Sequence, residues 1–298
     1  LLLLPLLPGL GRNINGARIW IRLGPIGFQP GEIAKIVLAI FFASYLVERR
    51  ELLGDRIRLG PLRLPRPRLR VLLPLLAAWG VSIVVMVAER DLGSSLLFFG
   101  LFIGLLWLAT GQPAYLLGGG VLFAVASWFA YQSFDHVQTR VQIWLDPWSV
   151  AQGKGYQIVQ SMFAFGSGGV AGSGLALGSP QRIPAAATDF IFAAIGEELG
   201  LVGTTAVLIA FLLLIGSGLR IALRTEHPFE KLLAAGLTLV IGLQAFIIVG
   251  GITRLVPLTG ITLPFVSYGG SSLVANYVLI ALLLRISDQH EPATAGRG

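Results

Sequence analysis

Few residues in this chain have the types and spacing that chemistry needs, and most stand beside long apolar runs. Asp189 follows Pro184 and Thr188 just ahead of residues 192–219, where a Thr-Asp pair reads as a helix N-cap meeting the positive end of the helix dipole. Glu197 and Glu198 lie eight and nine residues further on, roughly 12–13 Å along a straight helix. That is too far from Asp189 for the paired carboxylates of a glycosidase, roughly 5 to 9.5 Å apart, so a structural polar contact is expected of them. Glu32 and Lys35 share a helix face at i, i+3 just after Pro30, which suits an ion pair inside a bundle. Gly269, Gly270, Ser271 and Ser272 open the last apolar run after Ser267 and Tyr268. Amides at such a helix start bind phosphate, and small residues there serve close helix packing equally well. Arg254 is the nearest cation in sequence, and Asp91 stands where a helix begins.

The elements that position these residues belong in a bilayer. The chain is 55% hydrophobic and 12% charged over 298 residues, with a mean hydropathy of +0.79, leaving too little polar surface to coat a soluble globule. Apolar segments at about 31–48, 71–89, 93–110, 114–132, 192–219, 232–252 and 268–286 predict seven full spans. Residues 1–10 read as the tail of an earlier span rather than a signal peptide, so the chain is expected to lack its first spans. The segment 49–70 holds eight arginines against two acids, and 220–231 is also basic. The positive-inside rule makes both cytoplasmic, and the four crossings between them agree. Loops 11–30, 133–191 and 253–267 are then external, residues 1–286 form one transmembrane domain, and 287–298 is a short disordered cytoplasmic tail. The net charge of +7 comes largely from that arginine loop; it serves orientation and anionic lipid, not nucleic acid. There is no cysteine, which excludes disulfides, thiolate nucleophiles and cysteine metal sites, and the three scattered histidines suggest no histidine metal site.

Within 133–191, Val141, Trp144, Leu145 and Trp148 recur at i, i+3, i+4 and i+7, the stripe of a helix lying in the interface, with tryptophan stacking on a sugar as the alternative. Pro147 bends or ends that helix. The stretch GSGGVAGSGLALGSP, residues 166–180, follows no strand of a βαβ unit, so its glycines are read as shaping tight turns or a close helix approach rather than a nucleotide loop.

Five segments in order carry a resemblance: NINGARIWIRLGPIGFQPGEIAK (13–35), ERDLGSS (89–95), GYQIVQS (155–161), IPAAATDFIFAAIGEELGLVG (183–203) and PLTGITLPFVSYGGSS (257–272). Together they resemble the SEDS family, the peptidoglycan glycosyltransferases of the RodA and FtsW type, with the first and last segments closer to RodA. The resemblance implies an all-α polytopic helix bundle of ten transmembrane helices, of which this chain holds the last seven and the end of the third. The implied activity is inverting polymerisation of lipid II into glycan strands on the outer face of the bacterial cytoplasmic membrane, beside a class B penicillin-binding protein. A lipid II flippase and a non-catalytic scaffold for that transpeptidase are the alternatives.

On that resemblance Asp189 stands where the family keeps its essential carboxylate, making it the catalytic candidate. Substrate-binding candidates are Glu32, Lys35, Arg18, Asp91, Arg254, Ser267, Gly269, Gly270, Ser271 and Ser272. Arg18 departs from the family pattern because Ile19 separates it from Trp20. No cofactor is implied with certainty, a divalent cation is left open, and elongation is not separated from division.

Overall fold

The structure is a computed structural model that describes residues 2–7, 11–14, 17–23, 26–54, 56–59, 62–65 and 69–289; for 12–18, 22–26 and 54–69 it describes at most the backbone. The tail beyond residue 289 and the arginine side chains from 56 to 68 therefore lie outside the described residues. In chain order the elements are β1 (Gly11–Ile14), β2 (Ala17–Leu23), β3 (Ile26–Phe28), α1 (Pro30–Gly54), β4 (Arg56–Leu59), β5 (Leu62–Pro65), α2 (Leu69–Ala88), α3 (Leu92–Thr110), α4 (Pro113–Ser133), α5 (Asp135–Leu145), α6 (Tyr156–Gly168), α7 (Ile191–Arg224), α8 (Pro228–Ile252) and α9 (Gly270–Gln289). Seven of these helices, α1 to α4 and α7 to α9, are long and apolar enough to cross a membrane. The chain is an all-α polytopic membrane protein, with the number of spans that the hydropathy pattern predicts.

Two short sheets stand where the sequence reading placed loops. β1, β2 and β3 form an antiparallel meander in which Arg12 pairs with Trp20 and Arg22 with Gly27, and β4 pairs with β5. The alternation of Arg18, Trp20 and Arg22 with Ile19, Ile21 and Leu23 has the period of a strand. A search tuned to long apolar runs passes over it.

The chain divides into two compact units. The first comprises residues 1–120, 215–241 and 270–298. In it α1 packs against α2, α3 and α9, with Phe42 on Phe102 at 5.6 Å between ring centroids and Trp79 stacked on Phe102 at 5.4 Å. Asp91 caps α3, accepting from the Ser94 amide at 2.9 Å and the Ser94 hydroxyl at 2.6 Å.

The second unit, residues 121–214 and 242–269, holds α5, α6 and the first part of α7. α5 ends at Leu145, just before Pro147 as that proline predicts, so Trp148 of the expected stripe falls outside the helix. α7 is not one straight rod: Gly200 has φ 64° and ψ −158°, which breaks it after Leu199. A break strands the carbonyls before it and the amides after it, and buried backbone groups need partners. The glycine stretch supplies them. Ser173 and Gly174 amides donate to the Glu197 and Glu198 carbonyls at 2.9 and 3.0 Å, while Leu201 and Val202 amides donate to the Gly169 and Val170 carbonyls at 2.9 and 3.2 Å. A Cβ on Gly172 would lie 2.1 Å from the Glu198 carbonyl oxygen, so this approach is open only to glycine.

Candidate functional site

Asp189 lies between Thr188 and Phe190, just outside α7. The Ala194 amide donates to the Phe190 carbonyl at 3.2 Å, so Phe190 holds the N-cap position and Asp189 falls one residue short of it. The capping reading is thereby corrected. The segment reaching Asp189 is bent at Ala185, a non-glycine residue at φ 61°, whose carbonyl accepts the Thr188 and Phe190 amides.

The loop after α8 fixes Asp189 from a second direction. Ser267 is buried; its hydroxyl accepts from the Leu263 amide at 2.8 Å and donates to the Thr188 carbonyl at 2.6 Å. Next to it, the Tyr268 amide donates to the Ala187 carbonyl at 2.8 Å. Within this loop Gly260 has φ 75°, and a Cβ there would sit 3.6 Å from Asp189 Oδ2. Neighbouring Thr259 has a buried hydroxyl oxygen without a partner among the described residues, a group ready for a ligand. Phe265 adds another left-handed residue at φ 64°. Conformations of this kind cost of order 1–3 kcal/mol each and gather at functional sites.

Electrostatics tune the carboxyl. Burial pushes Asp189 above the ordinary aspartate range, and a side-chain hydrogen bond from Thr188 and the positive charge of Arg140 pull it part of the way back. Arg140 comes from α5 and donates to the Leu258 carbonyl at 2.6 Å. A partly desolvated carboxylate in this state is a better proton acceptor than a solvated one.

Glu197 accepts the Ser179 amide at 2.9 Å, the structural contact expected of it. Glu198 lines a cavity of about 370 Å³ with Leu175, Pro180, Ala187, Ile191 and Ala194. Arg254, left-handed at φ 62°, donates to the Trp144 carbonyl at 2.8 Å and the Leu145 carbonyl at 3.2 Å, while Trp144 Nε1 donates to the Arg254 carbonyl at 3.0 Å. Its guanidinium thus closes the C-terminal end of α5, and Trp144 is part of the same clamp.

The first unit holds a separate polar cluster. Lys35 is 1% exposed, makes a buried ion pair with Glu32 and donates to Asn276 Oδ1 at 3.2 Å. Asn276 in turn donates to the Ser272 hydroxyl at 3.3 Å. Glu32, Lys35 and Ser272 are therefore brought together, joined by α9. Ser271 is buried with its hydroxyl oxygen unpartnered among the described residues. Gly270 opens α9 with nothing within 4 Å of where a Cβ would stand, and Gly269 precedes it half-exposed. Asp91 is spent at least in part on capping α3. Arg18 has its backbone in β2, and its side chain lies outside the described residues. Among the described residues no group of three or more His, Asp or Glu could hold a metal ion.

Sequence reading missed Arg140, Thr259 and Asn276. An asparagine within an apolar span is costly enough to have been a signal. Arg140 lies one turn before Trp144 on the helix already identified.

Comparison with known proteins follows the same lines. The family model FTSW_RODA_SPOVE, cell cycle protein, matches residues 1–292. The peptidoglycan glycosyltransferase RodA of Mycobacterium tuberculosis is 53% identical over 284 residues, 95% of this chain and 60% of that protein. FtsW of Geobacter metallireducens is 36% identical over 97% of this chain and 74% of its own length. A chain of a solved peptidoglycan synthase complex that coordinates polymerisation and crosslinking superposes with a TM-score of 0.77 at 28% identity, covering 97% of this chain and 78% of that one. The chain spans about 60% of the length of its RodA relatives. With the family model matching residues 1–292 and RodA at higher identity than FtsW, this chain belongs to the SEDS family and is RodA-like.

Proposed function

We propose that the protein is a peptidoglycan glycosyltransferase that polymerises lipid II, with Asp189 as its general base. The observation carrying this reading is the uncapped, half-buried carboxyl of Asp189, raised above its ordinary range and braced by Thr188, Ser267 and Arg140. Asp189 takes the proton of the 4-hydroxyl of the acceptor sugar as that oxygen attacks the anomeric carbon of the donor. The bond to undecaprenyl pyrophosphate breaks with inversion, and the pyrophosphate leaves with the electron pair. A positioned base contributes roughly 10²- to 10⁴-fold. Lys35, the Ser271 and Ser272 hydroxyls and the amides at the start of α9 are suited to a phosphate-bearing ligand, with Glu32 and Asn276 holding the lysine.

The charge bias supports a cytoplasmic arginine loop at 49–70 and an external loop at 133–191, so we place Asp189 on the outer face of the bacterial cytoplasmic membrane. The synthase complex among its structural neighbours supports a class B penicillin-binding protein as partner. The full-length protein in detergent, given lipid II, should yield glycan polymer. A flippase would instead move intact lipid II between leaflets of a vesicle with no polymer formed, and that outcome would overturn the reading.

A further inference from the structure

At the opposite ends of the first unit's helices from the Lys35 cluster, the last turns of α1, α3 and α7 and the first turns of α8 enclose a crevice of about 290 Å³. Its walls include Leu46, Leu108, Leu219, Ala222 and Leu232. Leu223, also lining it, is 76% exposed, so the crevice opens outward through an apolar rim. The lining carries two charged side chains, Arg50 and Lys231, both cationic. Glu48, Glu51, Glu226 and Glu230 stand in the same segments without lining it. Neither cation has an ion-pair partner among the described residues. We propose that this crevice is a binding site for an anionic phospholipid, with an acyl-chain segment between the leucines and the phosphate held by Arg50 and Lys231.

Depth, size and charge each favour that occupant. The lining residues fall within a few turns of the ends of their spans, where phosphates of the nearer leaflet lie and where long basic side chains extend along apolar walls toward headgroups. The volume falls just below the roughly 300–1,000 Å³ that encloses a whole drug-sized ligand, so it suits a chain segment whose remainder stays in the bilayer. Arginine offers a planar fork to two phosphate oxygens and lysine a mobile point charge. A zwitterionic headgroup carries its own cation beside the phosphate and so brings no net negative charge to the two cations, and an apolar helix brings no counter-charge at all.

The test uses the full-length protein in a neutral detergent, with dioleoylphosphatidylglycerol and dioleoylphosphatidylcholine as probes and bound lipid counted by native mass spectrometry. Phosphatidylglycerol should be retained selectively. Arg50→Gln with Lys231→Gln should weaken its retention roughly 30-fold, the worth of two basic contacts. Arg49→Gln with Arg224→Gln, removing exposed cations outside the lining, should leave retention unchanged and so separates a built site from general basic attraction. Ala235→Leu, filling the crevice with both charges kept, should also displace the lipid, and millimolar inorganic phosphate should not compete. Equal retention of the two lipids, an unaffected Arg50/Lys231 double variant, or displacement by inorganic phosphate would overturn the proposal.

Discussion

The Ser267 hydroxyl donates to the Thr188 carbonyl across 79 residues of sequence, at 2.6 Å. It simultaneously accepts the Leu263 amide, so one buried oxygen ties the loop after α8 to the residue before Asp189. Removing it leaves a buried amide and a part-buried carbonyl unpaired, which costs about 1–3 kcal/mol. Ser267→Ala is expected to lower both the melting temperature and polymerisation, with lipid II binding retained. Normal turnover at a lowered melting temperature would show that the brace is structural only.

If Asp189 is the base, as proposed, Arg140 should set the acid limb of the activity. The base must be ionised to work, so turnover falls as pH drops through the raised pKa of Asp189. Arg140 opposes that rise; Arg140→Gln should therefore move the acid limb to higher pH, while Arg140→Lys, keeping the charge, should move it less. The pH–rate profiles of the three proteins decide this.

Glu89 follows the opposite logic. It is 3% exposed, with one carboxyl oxygen unpartnered among the described residues, and burial, then the nearby Asp91, raises its pKa to about 8 from 4.5. The folded state thus holds a proton that the unfolded chain releases above about 4.5. The stability Glu89 contributes is full below that pH and is lost as pH climbs through about 8. Glu89→Gln mimics the neutral carboxyl and should flatten the fall in melting temperature between pH 6 and 9.

Gly200 is expected to be irreplaceable. A Cβ there would meet the Gly172 nitrogen at 2.4 Å, on top of a φ of 64°. Gly200→Ala should sharply reduce the yield of monodisperse protein. Gly216→Ala, in the same helix with open space around it, should be neutral or slightly stabilising.

Much of this was legible in the residues. Span lengths follow from hydrophobic runs, the Glu32–Lys35 pair from its i, i+3 spacing, and the end of α5 from Pro147. The break at Gly200 was not legible, because a glycine inside an apolar run reads as tolerated until a second segment is seen to satisfy the freed amides and carbonyls. Nor was the Thr188–Ser267 bond, since no local pattern marks a contact of that sequence separation. The capping assignment for Asp189 failed by one residue, which local propensity does not resolve.

The proposed reaction depends on the Asp189 carboxylate. Asp189→Asn preserves its size and polarity while removing its basicity, and single-turnover polymerisation of lipid II by the purified full-length variant measures what is lost. A folded, lipid-II-binding protein whose rate falls by roughly 10²-fold or more is expected. A rate within a few-fold of the parent would contradict it.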